Sequence, residues 1–179
     1  MNVNFKSILF LGIVSLFLGA CQTNSTEDIT PQTVSGRWNL QTVTLEEEVQ
    51  GFPMENSNEN VADQELYIEF NSDGTYTTNS DIELGKFSKG SGSAFTNKYE
   101  FENNILALTY DDALFQRPLS IYFITEINEE TTMNLRTTKK ELTDAFADTI
   151  DLDLGSQALA QALLGSLVKF DFTLSFTKQ

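Results

Sequence analysis

The sequence predicts an all-β domain: a small antiparallel up-and-down barrel of about eight or nine strands, with one or two short helices inserted before the last strand. Three observations predict it. The final segment alternates without a break, with Val168, Phe170, Phe172, Leu174 and Phe176 against Lys169, Asp171, Thr173, Ser175 and Thr177. One dry face and one wet face are what half-buried antiparallel strands show. Shorter alternating runs recur upstream, separated by tight polar turns. The chain after residue 20 is 159 residues, a length that suits one domain. Closing such a sheet removes its edges, which a small β-protein needs. An open sandwich with the helices packed against it is the alternative.

Residues 1–20 read as an export signal. Lys6 is their only charge, and Ile8 to Ala20 is an apolar run of 13 residues. A membrane span needs about 20 apolar residues, whereas the core of a signal peptide needs about 7–15. The run ends at Leu18-Gly19-Ala20-Cys21, which resembles the lipobox of bacterial lipoproteins. That resemblance implies cleavage before Cys21 and acylation of its thiol. It places the protein in the cell envelope, held by lipid at the outer membrane, on the periplasmic face or the cell surface. Residues 21–33 are polar and read as a flexible tether. Residues 34–179 are then the folded domain.

The domain's elements follow in order. Trp38 and Leu40 share one phase while Val43 and Leu45 share the other, so a bulge or bend near Thr42 is expected. Gln50 to Gln64 reads as a long loop bearing Phe52 and Met54, and loops of this length in compact domains are functional or disordered. Glu65 to Phe70 alternates, Asn71-Ser72-Asp73-Gly74 is turn chemistry, and Thr75 to Thr78 completes a hairpin. Ile82 to Phe87 is a weak strand, and Lys89 to Ser93 a loop. Two more hairpins are expected: Lys98–Phe101 with Ile105–Tyr110, and Leu119–Ile127 with Met133–Thr138. Leu142, Phe146 and Ile150 recur at four-residue spacing, which predicts a helix over 139–150. Leu159, Leu163 and Leu167 predict a second over 156–167, with Ser156 as its N-cap.

Two motifs carry a further resemblance. Gly36-Arg37-Trp38-Asn39-Leu40 looks like the G-x-W opening of lipocalins. Phe70-Asn71-Ser72-Asp73-Gly74-Thr75-Tyr76 looks like the F-x-x-D-G-T-aromatic hairpin of bacterial lipocalin-like lipoproteins. The resemblance spans roughly residues 34–178. It implies a β-barrel, often with an internal apolar cavity, and no particular activity. It makes Gly36 and Trp38 structural residues, and implies an Arg over the Trp at the closed end, for which Arg136 is the candidate. It also implies that the first connection lies over the barrel mouth. An apolar pocket beneath residues 50–64 is therefore expected, with Phe52, Met54, Tyr76, Tyr99 and Tyr122 as its lining.

Chemistry is narrowed by what the chain lacks. It has no histidine and one cysteine, Cys21. That excludes Ser-His-Asp and Cys-His catalysis and the commonest transition-metal ligand. The acids Asp144, Asp148, Asp151 and Asp153 do not fit a calcium loop, because position five would be Gly155 and position twelve Ala162. No cofactor, metal or catalytic set is expected. After residue 20 the chain carries ten bases against 26 acids, a net charge of −16. Nothing there neutralises phosphate, so nucleic acid is excluded as a partner. The leading expectation is a membrane-tethered, non-enzymatic binding module for a small apolar or amphipathic ligand. The alternative is a protein-interaction module, an inhibitor or assembly factor, using its acidic surface.

Overall fold

The computed structural model of the chain describes residues 31–83, 86–89, 95–112, 117–148 and 154–179. The expected signal peptide, Cys21 and the start of the tether lie outside these residues. So do Gly90 to Ser93, Asp151 and Asp153.

A short helical turn, α1 (Pro31–Val34), leads into β1 (Gly36–Val49). Residues 31–33, expected in the tether, thus form a helical turn. After β1 come β2 (Glu55–Asn60), a 3-10 turn (Ala62–Gln64), β3 (Tyr67–Phe70), β4 (Thr75–Thr78), β5 (Ser80–Glu83), β6 (Lys86–Lys89), β7 (Phe95–Glu102) and β8 (Ile105–Asp112). The chain then continues through β9 (Arg117–Asn128), β10 (Thr132–Thr138), α2 (Lys139–Asp148), α3 (Leu154–Ser166) and β11 (Leu167–Lys178).

Eight strands close into an antiparallel barrel in the order β1, β11, β10, β9, β8, β7, β4, β3, with β3 pairing back onto β1. The expected barrel is therefore present. β2 is an additional strand, and β5 and β6 form a separate two-stranded sheet. Both of these differ from expectation. The supposed loop 50–64 contains β2, which pairs with the second half of β1 from Thr42 to Glu47. Its sequence, Glu-Asn-Ser-Asn-Glu-Asn, has no apolar residue to alternate, so only its partner makes it a strand. The weak strand expected over 82–87 falls instead on two strands, β5 and β6, which pair with each other.

The register of β1 against β11 slips between Leu40 and Thr42, which makes Gln41 the extra residue of a bulge. The phase change read from the sequence has this cause. Trp38 and Leu40 point inward before the bulge, and the partners Val43↔Leu174 and Leu45↔Phe172 keep the inward phase after it. The Gln41 carbonyl accepts the Val61 N–H at 2.9 Å, tying the end of β2 to the bulge.

One end of the barrel is sealed. Trp38 is fully buried there and its Nε1 donates to the Val34 carbonyl at 2.7 Å. The turns after β3, β7 and β9 lie at this end. Gly74 supplies the positive φ of 82° that its turn requires, while Asn103, Asn104, Glu129 and Glu130 adopt left-handed backbone in the other two. Arg136 is not over Trp38. It alternates outward from Met133, Leu135 and Thr137, and it pairs with Asp171 on the outer face at 2.5 Å. The Lys178 ammonium lies over the indole instead, 5.1 Å from the ring centroid. The closed-end position expected for Arg136 is thus taken by the last strand.

At the other end β10 stops short. Its ladder with β9 ends at Arg136↔Ile124, whereas β9 begins at Arg117 and β11 begins at Leu167. The two helices stand where the wall is incomplete. α2 packs against β9, β10 and β11, and α3 against α2 and β11. Leu142 and Ala160 join the core. A capping box starts α2: the Thr138 hydroxyl accepts the Lys140 N–H at 3.2 Å, and the Glu141 carboxylate accepts the Thr138 N–H at 3.1 Å. α3 begins at Leu154, so Ser156 lies inside it and is not its N-cap.

Candidate binding site at the open end

The barrel's lower levels hold side chains. Trp38, Leu40, Ile68, Phe70, Tyr76, Leu106, Leu108, Phe123 and Phe176 are all under 2% exposed. Upward from the bulge the inner phase of β1 carries Val43, Leu45 and Glu47, opposite Leu174, Phe172 and Phe170 of β11. Val43 and Leu45 are only partly buried, as are Phe146, Leu164 and Leu167, which pack against the same core. The open end is thus a partly exposed apolar strip above a filled base. Thr137, also of the inner phase, is buried there opposite Phe172, and its hydroxyl has no hydrogen-bond partner among the described residues. A buried hydroxyl left so costs about 1–3 kcal/mol.

The five residues expected to line one pocket are not brought together. Tyr76 and Tyr99 are core residues. The Tyr76 hydroxyl donates to the Thr109 carbonyl and that of Tyr99 to the Asn71 carbonyl, each at 2.9 Å. Their rings stack around Phe70, with Tyr99 edge-on at 5.0 Å. Burial, then the nearby Asp73 carboxylate, raises the Tyr99 pKa above its ordinary value. Phe52 and Met54 sit at the β1–β2 turn and are exposed, Phe52 by 71%. Tyr122 faces outward, out of phase with Ile121 and Phe123. It lines a groove of about 470 Å³ on the outer wall with Glu100, Glu102, Ile105, Ala107 and Asp144. Asp144 is held by Lys140 one helical turn away at 2.6 Å.

Sequence reasoning missed the open-end strip itself. Its signal was present, since Val43, Leu45 and Phe170 all fall on inward phases once the bulge is placed. The face of α3 was misjudged by one residue. Leu159 and Leu163 are exposed while Ala160 is buried. That helix is apolar on most sides, so four-residue spacing alone does not select a face. Among the described residues, no group of three or more carboxylates or other ligating side chains is arranged to hold a metal ion.

Similarity to known proteins was found at two levels. Among solved structures, a polyisoprenoid binding domain from Saccharophagus degradans implicated in plant cell wall breakdown is similar at 11% identity, with a TM-score of 0.37, covering 79% of this chain and 98% of that chain. No curated protein matches the sequence. Residues 34–135 match a family described as "Lipocalin-like domain".

Proposed function

The chain belongs to the lipocalin-like domain family, and from that premise we propose that it is a lipid-anchored, non-enzymatic binding protein that takes a small apolar or amphipathic ligand at the open end of its barrel. The observation that carries the reading is the contrast between the two ends. One is sealed by Trp38 and α1, while the other presents the partly exposed strip of Val43, Leu45, Leu164 and Leu167. An aliphatic chain laid on that strip would bury apolar area at about 25 cal/mol per Å². The Thr137 hydroxyl offers a polar contact at its inner end. The seat is shallow, because Tyr76, Phe70 and Phe123 already fill the base. The non-enzymatic part rests on the absence of histidine and of a second cysteine. The anchor is Cys21, behind its lipobox.

The test is a titration with a fluorescent fatty acid, using the chain from residue 21 with Cys21→Ser. Binding at micromolar levels is expected, about −8 kcal/mol. Leu45→Glu should abolish it while leaving the folded spectrum intact. No binding, or equal binding by Leu45→Glu, would end the carrier reading. A second reading is favoured by the groove at Tyr122, whose Glu100, Glu102 and Asp144 suit a basic protein segment. Capture of such a partner by the Leu45→Glu variant, lost in Glu100→Gln with Glu102→Gln, would select it.

A further inference from the structure

Among the described residues, the large apolar side chains that stand exposed are Phe52, Met54, Leu159, Leu163 and Val168. Single exposed apolar residues are ordinary on any surface. These five come from three segments and converge. Val49 pairs with Leu167, and the Gln50 N–H donates to the Ser166 carbonyl at 2.8 Å. That bond sets the β1–β2 turn, the C-terminal half of α3 and the first residues of β11 on one rim. The rim is the open end, opposite Trp38 and α1. Exposed apolar side chains gathered on segments that meet at one end of an acidic protein suit a contact surface.

We infer that this rim docks on the surface of a lipid bilayer, with Phe52 and Met54 at the tip of the β1–β2 turn entering the headgroup region. The inference rests on the carrier reading and explains how a ligand would pass between bilayer and barrel mouth. The charge argues for lipid over a second copy. Glu47, Glu48, Glu55 and Glu59 lie on the same two strands, and each whole chain has a net charge of −15, so two rims repel. The same charge directs the rim to neutral headgroups and away from anionic ones. No helix among the described residues is long and apolar enough to cross a bilayer.

The chain length before the barrel fits this orientation. Nine residues lie between Cys21 and Pro31, and the ten steps from one to the other reach about 33–36 Å when fully extended. The 12 residues of β11 rise about 40 Å along the strand, or about 30 Å along a barrel axis at a tilt near 40°. An anchor at Cys21 therefore reaches far enough for the opposite end of the barrel to face the same membrane.

Flotation of the chain from residue 21 with Cys21→Ser tests the rim without the anchor. Vesicles of phosphatidylcholine should carry it upward. Phe52→Ser with Met54→Ser should reduce partition by about tenfold or more, since both side chains lose their apolar burial. Vesicles with about one-third phosphatidylglycerol should bind it less. Fatty-acid binding by the double variant should match the parent, which separates a failure of docking from a failure of the carrier reading. No flotation of the parent, or equal flotation of parent and double variant, would overturn the inference. So would a concentration-dependent dimer that the double variant loses, because the rim would then belong to a second copy.

Discussion

Trp38 joins three parts of the chain at the sealed end: α1 through its bond to Val34, β3 through its register partner Ile68, and β11 through Lys178. Trp38→Ala should cost roughly 3–5 kcal/mol in urea unfolding, as for other buried aromatic truncations. A loss under about 1 kcal/mol would mean that the indole does not hold that end together. Arg136 plays a smaller part, on the outer face. Its hydrogen bonds hold the Asp171 carboxyl below the ordinary range. A lowered folded value gives stability that is present above the unfolded value, about 3.9, and is lost as pH falls through the folded one. The guanidinium is half exposed, so Arg136→Ala should cost less than about 1 kcal/mol at neutral pH. The variant and parent stability curves should converge as pH falls through the lowered Asp171 value. A gap that stays constant throughout acid titration would show that the ion pair is not the cause. The outward direction of Arg136 was legible, because it alternates with Met133, Leu135 and Thr137. The family expectation of an Arg over the Trp outweighed that pattern. That Lys178 takes the place was not legible, since it depends on β11 lying beside β1.

The bulge at Gln41 shows which features of an element a sequence reveals. The phase change between Leu40 and Val43 was visible, and its structural form follows from the pairing of β1 with β11. Deleting Gln41 would leave Trp38, Leu40, Val43 and Leu45 in continuous alternation. Only the bond from Val61 and the local bend would be lost, so a cost of about 1–2 kcal/mol is expected. Deleting Thr44 instead turns Leu45 outward and Glu46 inward. Its cost should be at least twice as large, because it reverses a face and buries a carboxylate. Equal unfolding midpoints for the two deletions would refute the bulge. β2 was illegible for the opposite reason: nothing in Glu-Asn-Ser-Asn-Glu-Asn alternates, and the strand exists because β1 outlasts β3 by several residues. The two helices before β11 were legible in place, though the sequence left open whether there are one or two, and α1 was not foreseen. The buried face of α3 was not legible, because its sequence is apolar around most of its circumference.

At the scale of the molecule, the barrel was readable from alternation and turn chemistry, and its closed end from the resemblance that makes Trp38 a structural residue. The mouth was not, because it depends on three non-local facts: the short β10, the helices beside it and the extension of β1 with β2. The proposed anchor at Cys21 is separate from the barrel. Cys21→Ser should move the protein from the membrane fraction to the soluble fraction, since several acyl chains anchor stably and the rim alone binds weakly. Retention after a high-salt wash would refute lipidation at that residue. The ring is joined where its first and last strands meet, from Trp38↔Lys178 to Val49↔Leu167. The two ends touch again at the Gln179 N–H, which donates to the Arg37 carbonyl at 3.0 Å. That seam has a consequence in time. A chain that crosses a membrane from its N-terminus emerges with β1 first and β11 last. Until Leu167 onward arrives, β1 carries an open edge of the kind that recruits other chains. In the proposed export, that order leaves the sheet unfinished until its final dozen residues are through. The interval between the first strand and the last is then when the unpaired edge of β1 is open to aggregation and to chaperones.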